Sequence, residues 1–134
     1  MKGILVDSNV ILDVLLDDEK WADWSESKLD EYSDHTLLYI NSIIYSEISI
    51  GFQLIEDLED SIFKSGLQML EIPKEALFLA GKAYLKYKRR SGVKRTPLPD
   101  FFIGAQAAVF TLHLLTRDVS RYQTYFPTVK LIAP

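Results

Sequence analysis

The chain has no cysteine, which excludes disulfides, thiolate nucleophiles and zinc or iron–sulfur centres built on sulfur. Histidine is nearly as scarce. His35 falls in a polar turn and His113 in an expected strand, and with nothing to bring them together both read as structural. No nucleophile elbow of the G-x-S-x-G type is present, so serine-based acyl transfer has no foothold. No stretch reaches the ~20 apolar residues that a membrane-spanning helix needs. The apolar run at the N-terminus is broken by Asp7 and Asp13 and is followed by no small-residue cleavage site, so it reads as mature sequence. The cytoplasm is then the expected compartment. Repeats and low-complexity tracts are also missing.

What is present suits one folded domain over residues 1–134, with 48% hydrophobic and 25% charged residues and so enough apolar surface to bury a core. Charge is unevenly spread: residues 1–60 carry fifteen acids and three bases, whereas residues 61–134 carry four acids and twelve bases. Seven of those bases lie between Lys82 and Arg95. Lys82, Lys86, Arg89, Arg90, Lys94 and Arg95 therefore form a candidate polyanion-contacting strip, the alternative being an ordinary solvated helix face.

Continuous apolar runs at Lys2–Val6, Leu37–Ile40, Leu67–Ile72 and Leu112–Thr116 predict buried strands, and Val129–Ile132 a last edge strand. Helical stripes predict helices over Asn9–Leu16, capped by Asp7 or Ser8, over Trp21–Tyr32, and after Asn41 or Ser42 with Ile44, Ile48, Phe52 and Ile55 on one side. Further helices are expected at Asp57–Ser65, Glu75–Arg90 and Asp100–Phe110, the last apolar almost all round, with a loop at Ser91–Pro99. A short helix to about Tyr125 can follow Asp118. Alternation of this kind predicts an α/β sandwich with a mostly parallel sheet, in which ligands bind beyond the carboxyl ends of strands.

That rule selects Asp7 and Asp118, each at the end of an expected strand, although each could instead cap a helix or sit in a turn. Thr116 could orient Asp118. Glu47 lies toward the apolar side of its helix beside Ile43, Ile44, Ile50 and Gly51, where a carboxylate needs either a cation or an arginine partner. Asp100 opens the buried helix directly after Pro99, a place that also suits a cap. Four oxygen-donor acids without sulfur or an imidazole cluster would make a hard-cation site, favouring Mg²⁺ or Mn²⁺. Hydrolysis through metal-activated water is the chemistry left open. A phosphotransferase of the haloacid dehalogenase kind, with Asp7 as nucleophile, fits less well, because Asn9 stands where a second Asp would be needed and no cap domain is available.

In order, VDSNV, YSE, LPDFFIGAQA and LLTRD resemble the motifs of the PIN-domain family, and more narrowly of VapC-type toxins, with the likeness running from Met1 to the closing RYQTYFPTVKLIAP. The resemblance implies a three-layer α/β/α sandwich and a divalent-metal endoribonuclease. It makes Asp7, Glu47, Asp100 and Asp118 the metal-site acids, supported by Ser8, Asn9 and Thr116. It further implies an RNA substrate such as transfer RNA, a small antitoxin that blocks the acidic pocket, and a homodimer. A catalytically silent PIN-like binding module is the alternative from a different class. Many relatives carry one more acid shortly after the last motif, where this chain has Val119, Ser120 and Arg121. The helix Ala76–Tyr87 and the surroundings of Trp21 and Trp24 are candidate partner surfaces, or simply core.

Overall fold

The computed structural model describes residues 3–91 and 98–134. Five three- or two-residue strands, β1 (Ile4–Val6), β2 (Leu38–Ile40), β3 (Leu67–Met69), β4 (His113–Leu115) and β5 (Leu131–Ile132), pair in the order β3-β2-β1-β4-β5, all parallel. The helices between them are α1 (Ser8–Leu15), α2 (Ala22–Ser33), α3 (Ser42–Ile48), α4 (Ile55–Ser65), α5 (Lys74–Ser91), α6 (Leu98–Phe110) and α7 (Val119–Tyr125). The central strands are continuous apolar runs because both of their faces are covered, and Ile4, Leu5, Val6, Ile40, Leu114 and Leu115 are fully enclosed.

From β1 the chain steps one way through β2 to β3, then crosses back to β4 and on to β5. Right-handed crossovers, the rule for parallel connections, would place α1–α4 on one face and α5–α7 on the other. The packing agrees, with α1 against α2 and α3, and α6 against α5 and α7. The strand order reverses between β1 and β4, and a crevice opens there beyond their carboxyl ends. Both strands deliver side chains to it: the Asp7 amide donates to Leu115 O at 2.9 Å and the Thr116 amide to Ile132 O at 3.1 Å, so each residue is pinned at the end of a ladder.

The expected elements are found, several with altered ends; the last strand, for one, is only Leu131–Ile132. The α3 stripe stops at Ile48, after which Ser49–Gly51 tightens into a 3₁₀ turn and Phe52 is extended. Ser49 Oγ donates back to Tyr45 O at 2.8 Å, and Gly51 lacks helix propensity, so the turn unwinds before Phe52 can join. Ile55 instead opens α4, two residues earlier than expected. Strand β3 ends at Met69 rather than Ile72; Leu70 adds one more bond, its amide donating to Ile40 O at 2.8 Å. Helix α6 begins at Leu98, so Pro99 lies in its first turn, where no partner is required of a proline nitrogen. At the other end of the expected Ser91–Pro99 loop, Ser91 is the last residue of α5, and residues 92–97 lie outside the described residues.

Gly104 fixes how α6 meets the C-terminal end of α7, since a Cβ there would run into the buried Phe126 ring. On α5, Ala76, Ala80, Ala83 and Tyr87 face the core, while Leu77, Phe78 and Leu85 are exposed. No helix among the described residues is long and apolar enough to cross a membrane.

Candidate active site

Asp7, Ser8, Asn9, Glu47, Asp100, Arg117, Asp118 and Arg121 line one crevice of about 330 Å³. Residues from both halves of the chain thus meet at the reversal point of the sheet. Asp7 ends β1 and caps α1, its Oδ1 accepting from the Ser8 amide at 2.8 Å, so the capping and site readings describe the same carboxylate. Its Oδ2 accepts from Thr116 Oγ1 at 2.8 Å, from Tyr122 OH at 2.9 Å and from Asn9 Nδ2 at 3.4 Å. All of these donors are neutral. Burial pushes the Asp7 carboxyl up, the hydrogen bonds from Thr116, Tyr122 and Ser8 pull it back, and the Asp118 charge adds to the rise. Tyr122 is itself buried, and its phenol is held well above the ordinary range by burial and by the Asp7 and Asp100 charges, which keeps it a donor.

Glu47 reaches the crevice from α3, whose start is capped by Asn41 Oδ1 accepting from the Ile44 amide at 2.8 Å. Ser8 Oγ donates to Glu47 Oε1 at 2.8 Å. The carboxyl is half-buried and raised, first by burial and then by the Asp7 charge, against the Ser8 bond and the nearby Arg121. Asp100, 8% exposed in the first turn of α6, is pushed up to about 6, mainly by burial, with Asp7 and Glu47 adding to the rise and Arg121 opposing it. Asp118 occupies the cap position of α7 but makes no side-chain capping bond. Its carboxylate instead accepts from Arg121 Nε at 2.7 Å, while its amide donates to Thr116 Oγ1 at 3.0 Å.

Ser8, Asn9 and Thr116 each hydrogen-bond to a crevice acid, Ser8 to Asp7 and Glu47 and the other two to Asp7. Asn9 Nδ2 also lies 3.4 Å from Thr116 Oγ1, and its Oδ1 accepts from the Arg117 amide at 3.3 Å, which ties α1 to the turn carrying Asp118. Lys82, Lys86, Arg89 and Arg90 are exposed on α5 and do not line the crevice; Lys94 and Arg95 lie outside the described residues. Part of that basic face is stacked on rings, with Lys82 5.2 Å from the Phe78 centroid and Arg90 6.0 Å from that of Tyr125.

Besides Tyr122, four residues that brace the crevice escape the sequence reading: Asp13, Gln106, Arg117 and Arg121. Arg121 donates from Nη1 to Asp100 at 2.5 Å as well as from Nε to Asp118. Arg117 grips the buried Asp13 with both ends of its fork, Nε at 2.7 Å and Nη2 at 2.9 Å, and lies 5.2 Å over the Trp21 ring, while Ser25 Oγ donates to Asp13 at 2.6 Å. This network clamps α1 and α2 to the Thr116–Asp118 turn. Gln106, fully buried on α6, accepts from Asn41 Nδ2 at 2.7 Å and donates to Leu70 O at 3.2 Å and Glu71 O at 3.0 Å, so it locks the helix bearing Asp100 to the helix bearing Glu47. Signals for two of the four were present: Asp13 is an acid on an apolar stripe, as Glu47 is, and Arg121 follows Asp118 at one-turn spacing.

Four carboxylates with hydroxyl and amide oxygens make a donor set that fits a hard divalent cation and no soft one. As the side chains lie, no three acids or histidines among the described residues close into a ready-made metal cluster.

Solved structures share this fold. VapBC2 from Rickettsia felis, bound to a DNA fragment from its promoter, matches with a TM-score of 0.72 at 18% identity over 97% of each chain. FitAcB from Neisseria gonorrhoeae matches with a TM-score of 0.69 at 23% identity over 98% of this chain and 97% of that one. VapBC-1 from nontypeable Haemophilus influenzae gives 0.71 at 17% identity over 97% and 96%. No curated protein matches the sequence. The PIN domain model matches residues 4–126, so that with the parallel sheet and the crevice at its reversal point in place, the chain belongs to the PIN-domain family of nucleases.

Proposed function

We propose that the chain is a Mg²⁺- or Mn²⁺-dependent endoribonuclease and the toxin half of a toxin–antitoxin pair, with Asp7, Glu47, Asp100 and Asp118 as its catalytic acids. The observation that carries this reading is the meeting of those four acids, distant in sequence, in one crevice with raised carboxyls at Asp7, Glu47 and Asp100. These four would hold the ion, which supplies Lewis acidity for the attack of water on an RNA phosphodiester and offsets charge on the phosphorane-like transition state. The chain's own residues prepare the place. Thr116 and Tyr122 hold the Asp7 carboxylate in one rotamer, Ser8 turns Glu47 toward it, and Asn9 fixes the turn that carries Asp118. The exposed Lys82–Arg90 face would supply attraction to the RNA backbone that an acidic crevice lacks.

The Arg121 guanidinium on Asp100 and Asp118 is the one observation that favours a catalytically silent module. Incubation of structured RNA, transfer RNA included, in Mg²⁺, in Mn²⁺ and in chelator separates the readings: cleavage with metal and none in chelator is expected. Metal-independent cleavage, or none under any condition, would reject the nuclease proposal. The toxin assignment is tested apart, by isolating the chain from its native source. A co-purifying small basic partner that suppresses cleavage is expected; fully active protein alone would defeat that assignment and leave the nuclease standing.

A further inference from the structure

We infer that Arg121 is the resident cation of the crevice, holding Asp100 and Asp118 in the place of a second divalent ion, so that the site takes up one ion rather than two; this rests on the metal-dependent reading above. The guanidinium does not make a bidentate pair with one acid. It spends Nη1 on Asp100 in α6 and Nε on Asp118 at the cap of α7, and so acts as a bridge of the kind a cation makes.

The local fold makes the bridge easy to form. Arg121 follows Asp118 by one helical turn of α7, and Asp118 is left for it because its carboxylate makes no capping bond. Asp100, whose side chain is only 11% exposed, has this ion pair and no other among the described residues. The other arginine lining the crevice cannot serve, since the Arg117 fork is committed to Asp13. Counted as formal charges, four carboxylates and one guanidinium leave three negative charges, of which a single divalent ion offsets two. A second divalent ion would have to displace the guanidinium or sit beside it, against Coulomb repulsion in a partly desolvated site. Arg121 keeps 41% of its side chain exposed, so it faces the crevice opening and presents a fixed positive charge to an incoming phosphate.

The test counts Mn²⁺ bound per chain, by the loss of the free-ion resonance in electron paramagnetic resonance, for the wild-type protein, Arg121→Gln and Arg121→Lys. One ion is expected for the wild-type protein and for Arg121→Lys, which keeps the charge. For Arg121→Gln a second ion, or binding tighter by about tenfold from loss of the repelling charge, is expected. Melting in chelator is the second readout: Arg121→Gln should melt lower than the wild-type protein and recover more on adding Mn²⁺, whereas Arg121→Lys should track the wild-type protein. Two ions in the wild-type protein overturn the inference without any variant, and so does an Arg121→Gln protein that binds Mn²⁺ with unchanged number and affinity. Either result leaves the metal-dependent reading intact. Absence of Mn²⁺ binding in every protein overturns that reading, and the inference with it.

Discussion

Asp7 precedes α1 and Asp13 lies near its end, and both are 3% exposed. Their surroundings differ in kind. Asp13 has a full counter-charge, the Arg117 fork, with Ser25 completing its shell. Asp7 has more hydrogen bonds but only neutral donors, and its carboxyl is raised by burial as a result. A buried carboxylate that serves the fold alone is neutralised within the fold. One left with neutral donors in an open crevice beside three other acids has no such partner, and under the proposed function a divalent cation would supply it.

The contrast breaks most sharply at Arg117. Arg117→Ala leaves Asp13 buried without its counter-charge and should lower stability by about 3–5 kcal/mol, read from urea unfolding. A loss no greater than that of an exposed arginine would mean that Asp13 is not held as described. By contrast, each of the crevice acids should be removable without such a loss when metal is absent.

Asp100 sharpens the comparison through pH. Its folded carboxyl, about 6, lies above the ordinary 3.8, so the folded state holds the proton more tightly than the unfolded chain does. The stability this contributes is present below pH ~4 and is lost as pH rises through ~6, up to ~3 kcal/mol for two units. In chelator, the fall in melting temperature of the wild-type protein across that window should flatten in Asp100→Asn. Parallel profiles would remove Asp100 from the set of strained acids.

A smaller effect is expected at Gly104, which touches neither acid. Gly104→Ala must displace the Phe126 ring and should cost roughly 1–3 kcal/mol, with a fall in cleavage only as large as the shift of Asp100 on the same helix. Unfolding curves matching those of the wild-type protein would show that the ring yields freely.

The centre of the sheet was legible because it is enclosed on both faces and therefore reads as apolar sequence, as Ile4–Val6 illustrates. The four acids were legible by placement, at strand ends and on apolar helix faces. Boundaries were less so. The α3 stripe reads on to Phe52 and Ile55, but periodicity cannot weigh Ser49 back-bonding and Gly51 against one more helical turn. Partners were hidden altogether. Arg117 stands 104 positions from Asp13, and Tyr122 115 from Asp7. Only the fold brings them together, so whether a buried acid is neutralised or left poised is not written in its neighbourhood along the chain.

The most direct test of the claim that Asp7 is kept for a cation and not for the fold is the melting temperature of the wild-type protein and Asp7→Asn, each in chelator and in excess Mn²⁺. The account predicts that Asp7→Asn melts no lower than the wild-type protein in chelator, and that Mn²⁺ raises the melting temperature of the wild-type protein alone. An Asp7→Asn protein that is destabilised in chelator and gains as much from Mn²⁺ as the wild-type protein would contradict it.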